Sequence, residues 1–431
     1  MPKLFRGWTV VAATAFALVI SGTTFAAGTF GVLTARWGKV FHWGQDEMAL
    51  GLSIFLISAT LAVPVVGRVV DRFGSRRVAM AGIAAMAAVM AAGVAIGGSV
   101  ASLYLFYAAI GITGAFTNPV VYLRALSLWF DKRRGLALGL AVAGQGIGGA
   151  ILPTLVERLM EVFDWRVCLL ILAGAMVVVI GPVVALCIKD DPAEVGETAD
   201  GIAPDPDAPV PAGPLPGLTL QEALGQRSFW LILLVLGLFG VASYALLGHG
   251  VYLLTEVRSL SLREAAMLQS ISGMSLLLGR VAFGYLMDRV HAPLVGAAGV
   301  LMTTGAAVLL LRLDSFGPLA FAWAVMVGAS TGAETDLLSL LVGRYFGKRA
   351  LSQIYSWHNV AFLVGAAVGP PLFGLGLHVT GGATIPILGV GAVAFVAALL
   401  LLLLGPYPRF DDPEAEAAAA PALEPAAAPS A

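Results

Sequence analysis

The chain has 431 residues, of which 59% are hydrophobic and 12% charged, against about 45–50% apolar and about 25% charged in soluble domains. A formal net charge of −1, a pI near 6.5 and a mean hydropathy of +0.90 leave no basic surface for a nucleic acid and too few charges to coat a water-soluble globule. This is a chain for a lipid bilayer. Its two cysteines, Cys168 and Cys187, are separated by about 28 Å of rise on one predicted helix and define no disulfide framework.

Twelve apolar runs follow in chain order, each long enough to cross about 30 Å of hydrocarbon as a helix. They are residues 8–33, 48–70, 77–97, 102–127, 135–157, 166–188, 228–254, 264–287, 293–311, 317–342, 351–377 and 383–405. The first run follows Lys3 and Arg6 as a secretory signal would. It is too long for one, lacks a persuasive cleavage site and is succeeded by similar runs, so it reads as the first membrane helix. Glycines inside the runs, as at 144–149, read as seams for close helix packing rather than ligand loops. Residues 189–217 are acidic, Pro-rich and poor in large apolar side chains, the composition of a flexible linker. A short amphipathic piece, 218–225, precedes the seventh run, and the Ala-, Pro- and Glu-rich stretch after Pro406 reads as a disordered tail. These shifts divide the chain into an N-terminal bundle (1–188), a linker (189–227), a C-terminal bundle (228–405) and a tail (406–431).

Two charged texts recur in order in this charge-poor chain. GRVVDRFGSRR, Gly67 to Arg77, is echoed by GYLMDR, Gly284 to Arg289, about 217 residues later. WFDKRRG, Trp129 to Gly135, is echoed by YFGKRA, Tyr345 to Ala350, at nearly the same offset. Such repetition is the mark of a duplicated membrane protein with a central site between its halves. Placing the N-terminus, linker and tail in the cytoplasm puts about sixteen Lys/Arg in cytoplasmic segments and about seven outside, with Arg124 and Arg280 inside helices. Trp8, Trp37 and Trp43 fit the aromatic belts at the membrane interfaces.

Gly67, Asp71, Arg72, Gly74, Arg76 and Arg77 resemble the loop signature between the second and third helices of the major facilitator superfamily. With twelve predicted helices the resemblance spans nearly the whole chain. It implies an all-α membrane protein of two pseudo-symmetric six-helix bundles, the major facilitator fold. It also implies a cytoplasmic latch, in which Asp71 pairs with basic side chains and caps a helix of the other half. An anion beside a helix N-terminus and an Arg gains about 1–2 kcal/mol when partly buried. Asp288 and Arg289 belong to the second copy of the same text, and Arg124 lies nearby as a gate or ion-pair residue. The plainer reading of Arg72, Arg76 and Arg77 as positive-inside anchors is compatible with gating. More narrowly, residues 129–153, preceded by Asn118 and Pro119, resemble the monocarboxylate porter and oxalate/formate antiporter branch. The Gly-Pro core of drug/proton antiporters is absent from the fifth helix, which argues against drug efflux.

A charge at the bilayer centre costs at least about 2.5–3.5 kcal/mol, so each needs a reason. Arg280 lies eight residues before Asp288, about 12 Å from the cytoplasmic end of its helix. Its planar guanidinium offers a fork for a carboxylate. The resemblance implies that it is the substrate's partner; the alternative is a structural ion pair. Glu334 and Asp336 on the tenth helix are the carboxylates within the apolar runs, and a carboxylate that changes partner with an Arg can carry a coupled proton. An ion pair with Arg124 or Arg344 is the competing reading. By the repeat offset Glu334 corresponds to Asn118. Asn118 and Tyr122, four apart, are expected to share a helix face and to orient a substrate oxygen. His249 and His358 are candidates for substrate or proton contact, against ordinary helix-to-helix bonding. Oxalate-specific relatives resemble this chain around residues 354–365 but carry a lysine where His358 aligns, so one permanent cation points to monoanions.

No phosphate-cradling loop, metal-ligand spacing or nucleophile with a base is present in the text, so neither an enzyme nor an ATP-driven pump is expected, and no cofactor. The expected function is a monomeric secondary transporter in a bacterial inner membrane, moving a small monocarboxylate of the lactate or pyruvate kind together with a proton by alternating access. Short loops, the absence of a usable N-x-[ST] site and Ala/Gly-rich helices favour that host. The alternatives are an organic-anion exchanger of oxalate/formate type and a non-transporting carboxylate sensor.

Overall fold

The computed structural model describes residues 5–201, 215–313, 315–408 and 410. It is helical almost throughout, because a chain in hydrocarbon must satisfy its backbone within each segment. The first span is made of α1 (Gly7–Leu18) and α2 (Gly22–Phe41). Then come α3 (Gln45–Phe73), α4 (Ser75–Ala92), a fourth span made of α5 (Val100–Ala115) and α6 (Pro119–Trp129), and α7 (Arg134–Val162). The sixth span joins α8 (Trp165–Ala175) to α9 (Gly181–Cys187) through a π-helical turn. After α10 (Leu220–Leu224) the second half runs α11 (Arg227–Tyr252), α12 (Leu262–Met287), α13 (Ala292–Arg312), α14 (Pro318–Phe346), α15 (Leu351–Thr380) and α16 (Thr384–Leu402). Among the described residues twelve spans are thus long and apolar enough to cross a membrane.

The positions of the spans follow the apolar runs, but two of them are interrupted. Asn118 precedes a proline, which disfavours helical backbone at that residue. It adopts extended angles (φ −83°, ψ 167°), and Pro119 opens α6. Ser21 adopts nearly the same angles (φ −83°, ψ 166°), and its side chain caps α2 by accepting from the Thr24 N–H. The two breaks lie against each other. Gly22 N–H donates to Thr117 Oγ1 at 2.9 Å, and a Cβ on Gly22 would lie 2.4 Å from the Cα of Gly114. The tenth span, α14, has no such break, so Asn118 and Glu334 are not equivalent in backbone conformation.

Within the first half α3 packs on α5 and α1 and α2 on α7; within the second, α11 packs on α15 and α12 on α14. The halves meet chiefly through α3 with α15 and α7 with α12, two pairings related by the same pseudo-twofold as the sequence repeat. The closest approaches lie toward the face that carries the linker. There a Cβ on Gly67 would fall 2.4 Å from the Ser352 carbonyl oxygen, and one on Gly135 would fall 2.2 Å from that of Gly284. Small residues permit this contact of backbones. Toward the far face, α2 and α11 make no comparably extensive contact across the halves among the described residues.

The described ends of the linker, 189–201 and 215–217, are held by hydrogen bonds to the bundles. Asp190 accepts from the Arg76 N–H at 2.9 Å, Glu197 lies 3.8 Å from Arg6, and Asp200 accepts from the N–H groups of Asp131 and Lys132 at 3.1 and 2.8 Å. Its far end pairs with the loop after α14, where Leu218 donates to Phe346 and Lys348 to Pro216 at 2.8 Å each. Its acidic side chains, which favour disorder in isolation, find N–H groups here. Residues 202–214 and the tail from 411 onward lie outside the described residues. Before that, the Tyr407 hydroxyl accepts from Ala292 N–H at 2.8 Å, and Tyr345 bonds the Gly405 carbonyl.

Candidate functional site

Asp71 and Asp288, the acidic residues of the two repeat copies, each reach across to the other half. The Asp71 carboxylate accepts from the N–H groups of Ser352 and Gln353, at the start of α15, at 3.1 and 2.8 Å. Asp288 accepts from Gly135 and Leu136, at the start of α7, at 2.7 and 3.0 Å. Both place an anion on the unpaired donors and positive dipole end of a long helix. Burial raises the Asp288 carboxyl above its ordinary value, against the pull of Leu136, Gly135, Arg344 and Arg134, so this closure carries a desolvation cost.

The basic residues divide differently from the sequence expectation. Arg124 Nη1 donates to the carbonyls of Asp71 and Val70 at 2.6 and 3.4 Å and so ties down the end of α3. Arg72 and Arg289 are exposed and lie over the rings of Phe73 and Tyr285 on their own helices, at 5.1 and 4.1 Å. Arg77 is also exposed, and Arg76 meets Asp190 through its backbone. Arg134 was not singled out by its sequence, yet it is fully buried in the interface, with Nη2 3.5 Å from the Ser339 carbonyl. Its guanidinium rests on Gly343, where a Cβ would lie 2.1 Å from Nη1.

Deeper in the membrane, Arg280 faces the space between the halves. At about 100° per residue, exposed Met274, Leu278 and Tyr285 mark the lipid side of α12. Arg280 lies about 140° from them, between the face that meets α7 and the face that meets α14. Its Nη1 donates to the Val142 carbonyl of α7 at 3.4 Å, and its Nε has no partner among the described residues. Asp336 is completely buried, and neither carboxylate oxygen has a hydrogen-bond partner among the described residues. It feels the charges of Arg280 and Glu334 and presses on α7, where a Cβ on Gly139 would lie 3.2 Å from its Oδ2. Arg124 and Arg344, the expected ion-pair partners, bond instead to carbonyls, Arg344 to that of Asp131 at 3.4 Å.

Two tyrosines that sequence reasoning missed, Tyr244 and Tyr355, lie within electrostatic range of both Glu334 and Arg280. Tyr355 also lines a cavity of about 10 Å3 with Thr14, Tyr122, Val142 and Ser339. The hydroxyls of Thr14 and Tyr122 are buried there without a partner among the described residues. Asn118 does not share a helix face with Tyr122, because it caps α6 from outside the helix. Its Oδ1 accepts from Thr23 Oγ1 at 3.1 Å and from Thr23 N–H at 3.4 Å. Gln145, also missed, donates to Thr23 Oγ1 at 2.8 Å and to Ser21 Oγ at 3.3 Å. The Asn-Pro pair was the available signal for this break.

The histidines are not drawn to Arg280. His358 is fully buried inside the second half, with Nδ1 2.8 Å from the Ile354 carbonyl oxygen and Nε2 3.1 Å from that of Phe229. Its ring lies between Phe229 and Phe346. His249 packs on Phe373 of α15 at 4.8 Å, with Nδ1 3.2 Å from the Ala245 carbonyl oxygen. Both positions lie on the α11–α15 seam, which a period-based reading of all-apolar helices does not locate.

The sequence matches the family model described as Major Facilitator Superfamily over residues 14–338. It is 28% identical over 337 residues to monocarboxylate transporter 12 of Rattus norvegicus, covering 72% of this chain and 68% of that protein. It is 28% identical over 402 residues to monocarboxylate transporter 11 of Homo sapiens, covering 90% and 80%. The crystal structure of the E. coli fucose:proton symporter FucP superposes with a TM-score of 0.62 at 13% identity, covering 92% of this chain and 98% of FucP. With twelve spans, two paired halves and a matching family model over most of its length, this multi-pass membrane protein belongs to the major facilitator superfamily of transporters.

Proposed function

We propose that the chain is a secondary transporter of small monocarboxylates of the lactate and pyruvate kind, moved together with a proton by alternating access. The moving halves are residues 1–188 and 228–405, joined by the linker at 189–227 and followed by the tail at 406–431. The observation that carries this reading is Arg280, a guanidinium directed between the halves beside a buried acid, with a long bond to a backbone carbonyl and an Nε that has no partner among the described residues. A charge in that place is costly unless it has a task. Its fork accommodates a carboxylate through two charge-assisted hydrogen bonds. The relatives named as monocarboxylate transporters support the same substrate class.

In this mechanism the linker face is cytoplasmic, as the basic residues favour, and the described conformation is closed on that side. Substrate enters from the far face, takes Arg280 from Val142 and is oriented by Asn118 and Tyr122. Asp336 or Glu334 carries the proton, so that anion and proton cancel the net charge crossing hydrocarbon. Opening inward breaks the Asp71 cap on α15 and the Asp288 cap on α7. Arg124 holds the end of α3, while Arg72, Arg76, Arg77 and Arg289 anchor the cytoplasmic surface. His249 stands toward the entry side; His358, buried within one half with its ring nitrogens against two backbone carbonyls, of which a neutral ring can bond one, has no part in it. One chain contains the whole path and works as a monomer in a bacterial cytoplasmic membrane.

The test is uptake of labelled lactate and pyruvate into proteoliposomes, with and without an inward proton gradient, for the wild type and Arg280→Ala. Gradient-stimulated uptake that disappears in the variant is expected. Undiminished uptake by Arg280→Ala sinks the substrate assignment, and gradient-insensitive counterflow makes the protein an exchanger. Tight binding without uptake makes it a sensor.

A further inference from the structure

The interrupted first and fourth spans release polar groups near the middle of the bilayer, and these form a network with two unspent ends. The Thr23 N–H can only donate, so the Asn118 amide oxygen must face it and the Asn118 NH2 must face away. The Thr23 hydroxyl donates to the same oxygen and receives Gln145 Nε2, while the second Nε2 proton goes to Ser21. Gln145 therefore turns its Oε1 out of the network. Neither the Asn118 NH2 nor the Gln145 Oε1 has a partner among the described residues.

Gln145 faces the space between the halves rather than lipid, and Asn118 is joined to it through the Thr23 hydroxyl. On α7 the exposed side is marked by Leu140, Ile147 and Ile151, and Gln145 lies about 140° away from it at about 100° per residue. It stands between the face that packs on α1, where Gly144 and Gly148 meet Ala15 and Val19, and the face that packs on α12, where Gly146 meets Leu277. One turn before it, about 4.5 Å along the helix, is Val142, whose carbonyl receives Arg280.

We infer that Gln145 and Asn118, both oriented by Thr23, read the oxygen on the carbon next to the substrate carboxylate, and so select 2-hydroxy monocarboxylates. A hydroxyl donates to Gln145 Oε1 and accepts from Asn118 NH2. An oxo group only accepts, and an unsubstituted chain leaves both amides unpaired, the costly outcome once bound substrate has displaced water from them. The inference rests on Arg280 holding the carboxylate.

The experiment compares KM for lactate, pyruvate and propionate in proteoliposomes of wild type, Gln145→Leu and Thr23→Val. Wild type is expected to rank lactate below pyruvate and pyruvate below propionate. Gln145→Leu is expected to raise the lactate KM about tenfold, the loss of one well-placed hydrogen bond, and to lower the propionate KM, because the amide that propionate leaves unpaired is gone. Thr23→Val touches no substrate but removes the hydroxyl that both amides share, leaving Asn118 only the Thr23 N–H at 3.4 Å and Gln145 only Ser21 at 3.3 Å, and is expected to erase the same preference. It decides the matter by the same criterion if Gln145→Leu does not fold. Equal changes for all three substrates, or a lactate preference that survives, overturn the inference. Arg280→Ala, assayed alongside, separates the two readings: it abolishes all three activities if the carboxylate assignment holds, whatever becomes of the preference.

Discussion

Gly67→Ala tests the closed linker face with a single methyl group. Gly67 lies inside α3 with helical backbone, so alanine there costs the helix nothing and favours it by about 1 kcal/mol. In the closed interface, however, the new Cβ falls 2.1 Å from Ser356 Oγ, 2.4 Å from the Ser352 carbonyl oxygen and 2.8 Å from its carbon. The serine side chain can rotate away, but the α15 backbone cannot. Restoring van der Waals distance requires α15 to retreat by roughly 1 Å. That movement stretches the Asp71 bonds to Ser352 and Gln353, now 3.1 and 2.8 Å, to or past the limit of a hydrogen bond. Overpacking of this kind costs about 1–3 kcal/mol, a shift of roughly 5- to 150-fold in the ratio of closed to open molecules. Spin labels at Phe73→Cys and Val290→Cys, exposed on opposite halves, report the change as a distance distribution in a background lacking Cys168 and Cys187. Gly149→Ala, where an added Cβ meets nothing within 4 Å, is the control. A Gly67→Ala distribution indistinguishable from that control refutes the reasoning.

Asp288 gives the gate a pH dependence. Its carboxyl is raised above 3.8 when buried at the start of α7 and regains its ordinary value when the face opens. The closed state then binds the proton more tightly, so this group's contribution favours closure fully below pH 3.8 and is lost as pH rises through the raised value. The same label pair should show closure increasing on acidification, and Asp288→Asn should remove that component; an unchanged pH response in the variant contradicts the assignment. Thr117→Val leaves the Gly22 N–H without its 2.9 Å acceptor at the junction of the two breaks. A loss of about 1–3 kcal/mol is expected, measured by denaturant unfolding in detergent, and unchanged stability would mean that the N–H is satisfied another way. Arg134→Met removes the guanidinium that rests on Gly343, a buried cation with few partners among the described residues. Such replacements are commonly neutral or stabilising, so the closed population should hold or rise, and opening of the labelled face would show instead that the guanidinium holds the halves together.

Much of this architecture is local physics and is therefore legible in the text. A run of apolar residues in hydrocarbon must close its own backbone bonds, so composition determined twelve spans. The repeat centred on Asp71 and Asp288 announced two halves, and Asn118 before Pro119 carried the signal for a broken span. Arg280 stood out because a lone cation in such a run is rare. The contacts that hold the described ends of the linker were not legible, because their N–H donors, near Arg76 and Lys132, belong to other segments.

What only the tertiary structure decided was direction. A helix apolar all round has no amphipathic face to reveal its partner, since lipid and protein interior are equally oily. Hence the text did not show that His358 turns into one half while Gln145 turns toward the axis. Nor did it show that Arg134 is buried while Arg72 and Arg289 lie outside. The sequence by itself determined which segments cross the membrane and that they form two related halves, because those depend on backbone hydrogen bonding and duplication. Which side chains meet between the halves was settled by packing over hundreds of residues, where a glycine such as Gly67 or Gly139 decides how closely two helices come.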